Sequence, residues 1–147
     1  MKFSALLALF IFIISCNSFE SNNPKNDQVN SVEDFDLYVP SEMSVHMRKM
    51  IELNEEIKLK VLAGDTLGEF PENFLTIYSA KLSDAKSRNE TFEAYSKVFI
   101  ENEKEIFNIN STIPLKIRYN NAISTCIMCH KTECVGPIPV IEKLLIQ

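Results

Sequence analysis

The residues best suited to chemistry lie in one short stretch, Cys126-Ile127-Met128-Cys129-His130. Two thiols three positions apart, with a histidine directly after the second, form the C-x-x-C-H pattern of c-type haem attachment. The chemistry asks for this spacing: the thiols add to the two vinyl groups of one porphyrin, and the adjacent imidazole then reaches the iron. On a helix Cys126 and Cys129 are one turn apart and His130 is four residues beyond Cys126, so all three can meet one ring. Two other chemistries use the same residue types. In an oxidising compartment the pair can close a disulfide, structural or redox-active, and Cys126, Cys129, His130 and Cys134 together offer zinc donors. A thioredoxin-like dithiol, however, opens a helix in a βαβ unit, whereas this pair ends a long helical pattern. Cys129 and His130, being adjacent, project about 100° apart on a helix, which is awkward for one tetrahedral ion.

The pattern carrying the motif opens at Thr112 and Pro114 and runs through Leu115, Tyr119, Ala122, Cys126 and Cys129, the seam of one helix. Three further helices are expected. Ser41 caps the first, with Met43, Met47, Met50, Asn54, Ile57 and Val61 along its seam and an end near Gly64. Phe70-Pro71-Glu72 starts a short second helix with Phe74, Ile77, Tyr78 and Leu82 on one side. Asn89 caps a third, in which Phe92, Tyr95, Phe99 and Ile106 form the apolar stripe and Glu93, Lys97, Glu101, Glu103, Lys104 and Glu105 form solvated faces. With no strand pattern, the fold class is all-α: a four-helix bundle over residues 41–147 with the motif on its last long helix, plus a Pro-rich C-terminal extension. Pro137 and Pro139 cannot continue a helix, so an extended turn is expected to bring Ile141, Leu144 and Leu145 back over the bundle.

Composition narrows the function classes. Fifteen Lys and Arg against twenty Asp and Glu give a net charge of −5 without a basic run, so no nucleic-acid partner is expected. Three glycines in 147 residues leave little for phosphate-cradling loops or dinucleotide fingerprints. No nucleophile elbow, paired carboxylates or zinc-hydrolase helix is present, and no hydrolase or transferase activity is expected. At the N-terminus, Lys2 and the apolar run Ala5 to Ile14 match a signal-peptide core and are too short to span a bilayer. Ile13-Ile14-Ser15-Cys16 resembles the lipobox of bacterial lipoproteins. That resemblance implies removal of residues 1–15, lipid on Cys16 and export to the periplasm. The membrane anchor would sit in the outer membrane, because Asn17 rather than Asp follows the cysteine. Residues 16–40, rich in Ser, Asn, Asp and Glu, then form a flexible tether.

A helical bundle with C-x-x-C-H on its last long helix resembles the class II cytochromes c, the cytochrome c-prime family, over about residues 41–130. The resemblance implies one covalent haem c, with Cys126 and Cys129 as thioether cysteines and His130 as proximal iron ligand. It also implies that the first helix supplies the group on the distal side. Met47 is the favoured distal ligand, central on its seam and next to Arg48, a residue type able to approach a propionate; Met50, Met43 and His46 are the other candidates. A thioether ligand raises the potential and suits electron transfer between periplasmic redox partner proteins. An open distal side would instead suit binding of nitric oxide or carbon monoxide, and a haem-free lipoprotein with a Cys126–Cys129 disulfide is the third expectation. Members of the family often pair, so a homodimer is also implied. The chain departs from the family by continuing for 17 residues after His130, with Cys134 left over; it is expected to be a buried structural thiol near the haem edge, an intermolecular disulfide or a reactive thiol being the alternatives.

Overall fold

Ser41 and Gly64 bracket the first helix, α1 (Glu42–Ala63). The Ser44 amide donates to Ser41 Oγ at 3.2 Å, and Gly64 adopts φ 73°, turning its own amide back onto the Lys60 and Val61 carbonyls. That left-handed cap is why a glycine stands there. These features belong to a computed structural model that describes residues 39–83, 86 and 88–147. The signal peptide, Cys16 and the tether as far as residue 38 lie outside the described residues. Along α1 the expected seam is buried at Met43, Met50, Asn54 and Ile57, with Met47 half-buried and His46 buried beside it.

The second element differs from expectation. Residues Glu72–Tyr78 form a 3-10 helix rather than an α-helix. Three residues per turn eclipse Phe74 and Ile77, both of which enter the core. The Arg88 guanidinium stops the segment by donating to the Ile77 and Ala80 carbonyls at 3.0 and 2.7 Å. The α2 helix (Glu90–Ile106) is capped as its sequence indicates, the Phe92 amide donating to Asn89 Oδ1 at 2.7 Å. The α3 helix (Leu115–Glu133) starts after Pro114, and Thr112 makes no cap. From its first turns Arg118 reaches back to the Glu105, Ile106 and Asn108 carbonyls at and just beyond the end of α2. All regular structure among the described residues is helical.

The tail returns to the core as expected, but by helical turns instead of an extended one. Pro137 opens α4 (Ile138–Ile141), and a 3-10 turn, Glu142–Leu144, follows. Pro139 falls in the first turn, where a missing N–H leaves no bond unmade. Ile141, Leu144 and Ile146 are buried, and Leu145 is half-buried. Asn120 of α3 pairs with Ile146 in both directions at 2.9 Å, and Lys58 of α1 donates to the Lys143 and Leu145 carbonyls at 2.7 and 3.1 Å. No helix among the described residues is long and apolar enough to cross a membrane.

Phe74 is the hinge of the apolar packing: it is fully buried, meets the Phe99 ring edge-on at 5.8 Å and lies 5.9 Å from Phe70. Phe74→Ala should therefore lower the unfolding free energy by about 3–5 kcal/mol, whereas Ile109→Ala, at a side chain 95% exposed, should change it by less than about 0.5 kcal/mol. Denaturant titration of the two variants checks the contrast.

Candidate functional site

The site is set by the register of α1 against α3. The Tyr119 hydroxyl donates to the Asn54 carbonyl at 3.0 Å across the buried interface. From that point Met50 and Met47 lie one and two turns back along α1, while Cys126 and His130 lie two and three turns on along α3. The two runs converge on one cleft of about 40 Å³, lined by Met47, Met50, Asn54, Cys126 and His130 and closed by Ile141 and Leu144 of the tail. An adjoining cleft of about 30 Å³ shares Met47, Met50, Cys126 and His130 and adds Cys129, Ile77, Tyr95 and Phe99. Cys126, Cys129, His130 and Met47 are thus brought together, with Met50 beside them. Met43 and His46 line neither cleft; burial holds the His46 ring below its ordinary pKa, and it faces the Phe74 backbone.

The imidazole of His130 is held by its own helix end. Its Nδ1 lies 2.8 Å from the Cys134 carbonyl oxygen, while the Cys134 amide donates to the His130 carbonyl at 3.1 Å. A carbonyl only accepts, so Nδ1 carries the proton and Nε2 keeps a free lone pair. An outer-shell carbonyl of this kind is what orients metal-binding histidines. Cys134 is not the buried thiol expected: the chain leaves α3 there in extended conformation, its side chain is exposed, and it takes part through its backbone.

The thiols are held in their protonated form. Burial, and next the Glu103 charge, push the Cys126 thiol well up; burial and Glu133 push Cys129 up to about 11. A low-pKa redox dithiol has the opposite setting. Cys126, Cys129 and Cys134 are free thiols, and among the described residues no three His, Cys, Asp or Glu side chains gather as ligands for a metal ion.

For a c-type haem the donor set fits in kind: two thiols one turn apart, an imidazole, and thioethers lining the same clefts from another helix. The clefts are close to the volume of single water molecules, so a porphyrin enters only with a shift of the elements that line them. A roomier apolar groove of about 490 Å³, lined by Tyr95, Val98, Ser124, Thr125 and Met128 among others, contains none of the motif's cysteines or its histidine.

Glu103 corrects the sequence reading. Expected on a solvated face, it is 0% exposed, and neither carboxyl oxygen has a hydrogen-bond partner of normal geometry, although the Asn54 side chain faces it. The signal was present: Glu103 follows Phe99 by four residues and precedes Ile106 by three, which puts it on the apolar stripe. Comparison with protein-family models, curated protein sequences and solved structures gives no significant match.

Burial raises the Glu103 carboxyl from an ordinary 4.5 to about 8. The folded chain then binds a proton that the unfolded chain has released, so stability is greatest at low pH, falls as pH rises between those values and levels off above about 8. Denaturant unfolding of the haem-free chain across this range, compared with Glu103→Gln, should show a declining difference that the variant lacks. The contribution of His46, present in both proteins, cancels.

Proposed function

We propose that this chain is a mono-haem c-type cytochrome that carries electrons, exported and anchored by lipid at Cys16. The observation that carries the reading is the meeting of Met47 and Met50 from α1 with Cys126 and His130 from α3 at one cleft. When bound, the haem supplies a one-electron iron couple. Cys126 and Cys129 tether it through thioethers, and His130 offers Nε2 from a ring that the Cys134 carbonyl holds in orientation. Met47 is the distal donor in this reading. It stands seven residues from the Tyr119–Asn54 bond, as Cys126 does, about 10 Å along each helix, and so nearer the level of His130 than Met50. Tyr95 and Phe99 supply apolar surface for the ring, and Ile141 and Leu144 exclude water from its environment.

The finer fold belongs with this proposal: a bundle of class II type, with the first 3-10 helix at the position expected of the second helix. Redox partner proteins in the periplasm, an outer-membrane anchor and a homodimer are further parts of it, supported by the sequence resemblances alone.

The test is the optical spectrum of protein matured in a host that attaches c-type haem. The expected result is a sharp low-spin reduced band and, when oxidised, a weak near-infrared sulfur-to-iron band. Met47→Ala should abolish the near-infrared band and lower the reduction potential, with Met50→Ala leaving the band in place. A high-spin spectrum that shifts at once with carbon monoxide would overturn electron transfer in favour of gas binding, and absence of haem from the denatured protein's mass would overturn the reading entirely. Cys134→Ser should retain the haem and its spectrum, since only the backbone carbonyl at that position is used.

A further inference from the structure

Glu103 is a buried carboxyl that the proposed chemistry does not use. Both of its oxygens lack a partner, and the facing Asn54 has its Nδ2 engaged on the Met50 carbonyl at 3.1 Å while its Oδ1 has none. Asn54 of α1 faces Glu103, and the Glu103 charge is felt at Tyr119 and Cys126 of α3; the preceding residue, Asn102, donates to Thr125 Oγ1 at 2.8 Å, which sets this turn of α2 against the turn of α3 that carries Cys126. On the first 3-10 helix, Tyr78 answers to Glu101 and Glu72 is exposed. No cation balances the carboxyl: the one ion pair among the described residues is Lys49–Glu52, on the surface. An unpaired carboxylate at such depth is costly, so with no haem in place the group rests as the neutral acid, and one proton on it supplies the donor that Asn54 Oδ1 also lacks; the positive charge of an oxidised haem would favour the carboxylate instead. None of Asn54, Tyr119 and Cys126 is a proposed iron ligand, yet Cys126, the proposed attachment point, feels the Glu103 charge.

We propose that Glu103 is a one-proton store beneath the Cys126 attachment point, taking up a proton when the bound haem gains an electron and releasing it when the electron leaves. The inference rests on the haem reading above. Its balance is simple: a protein donor supplies one electron to the iron, solvent supplies one proton to the Glu103 carboxylate, and both leave on oxidation to a protein acceptor. The physical cause is electrostatic. Gaining an electron removes one positive charge from a poorly solvated core, and a carboxyl close by then holds its proton more tightly. Asn54, which faces Glu103 and lines the cleft, joins the store to the site.

The test measures the reduction potential of the haem-loaded protein from pH 5 to 10, with mass spectrometry of the same sample. The expected result is a potential that falls with rising pH over a bounded window, by at most a tenfold change in the oxidised-to-reduced ratio per pH unit, about 59 mV. Glu103→Gln should flatten that window and Glu103→Asp should restore a slope. Redox-difference infrared spectra of the unaltered protein should show a protonated-carboxyl band in the reduced state that is lost on oxidation, a readout that stands even where a variant fails to fold. Haem present with a flat potential, or a slope unchanged in Glu103→Gln, overturns the proton store and leaves the cytochrome reading intact. Haem absent from the mass overturns both.

Discussion

The buried hydrogen bond from Tyr119 to the Asn54 carbonyl fixes what the two principal helices can present to each other. A helix can slide along its neighbour by a turn at modest loss of apolar contact, because the ridges repeat every three or four residues. A hydroxyl removed from water cannot slide off its acceptor without being left unpaired, at about 1–3 kcal/mol. The bond therefore selects one register, and that register brings the methionines of α1 to the level of Cys126 and His130 on α3. The tail depends on the same alignment, since Lys58, one turn beyond Asn54 on α1, and Asn120, next to Tyr119 on α3, bind its backbone.

Most of the elements were legible because their ends carry local chemistry. Ser41, Gly64 and Asn89 act through their own side chain or conformation on residues three or four away, and a motif of that range reads directly from the chain. Asn54 was legible as a gap filled by a polar residue on an apolar seam. Glu103 occupies the same kind of gap on α2, but it stands in a run of charges whose solvated members outnumber it, so periodicity was outweighed by composition. The 3-10 form of residues 72–78 was hidden for a different reason. Seven residues with inward Phe74 and Ile77 satisfy either period, and the choice falls to a distant cap, Arg88 on the Ile77 and Ala80 carbonyls.

The core between the long helices is more polar than its apolar pattern suggests. Asn54, Ser96 and Glu103 are buried; Ser96 returns its hydroxyl to the Phe92 carbonyl at 2.7 Å and Asn54 returns its amide to Met50, so both bond within their own helix. Glu103 has no such local outlet. A carboxyl in that position weakens the fold as pH rises, which is a poor choice for packing alone. Its charge is felt at Cys126 and Tyr119, because little solvent intervenes to screen it.

The residues beyond the motif bind structure to chemistry. A histidine at the last turn of a helix has its ring free to rotate unless something beyond the helix holds it, and the chain must leave the helix there to do so. Cys134 is in extended conformation, which turns its carbonyl toward the His130 ring while its amide still closes the helix. Pro137 then redirects the chain so that Ile141 and Leu144 close the cleft over Met47 and Met50. One segment thus sets the tautomer of the imidazole and the dryness of the space it faces, the two properties that govern how strongly its free nitrogen binds a metal and how that metal's charge is felt. The 17 residues after His130 are therefore as much a part of the candidate site as the motif itself.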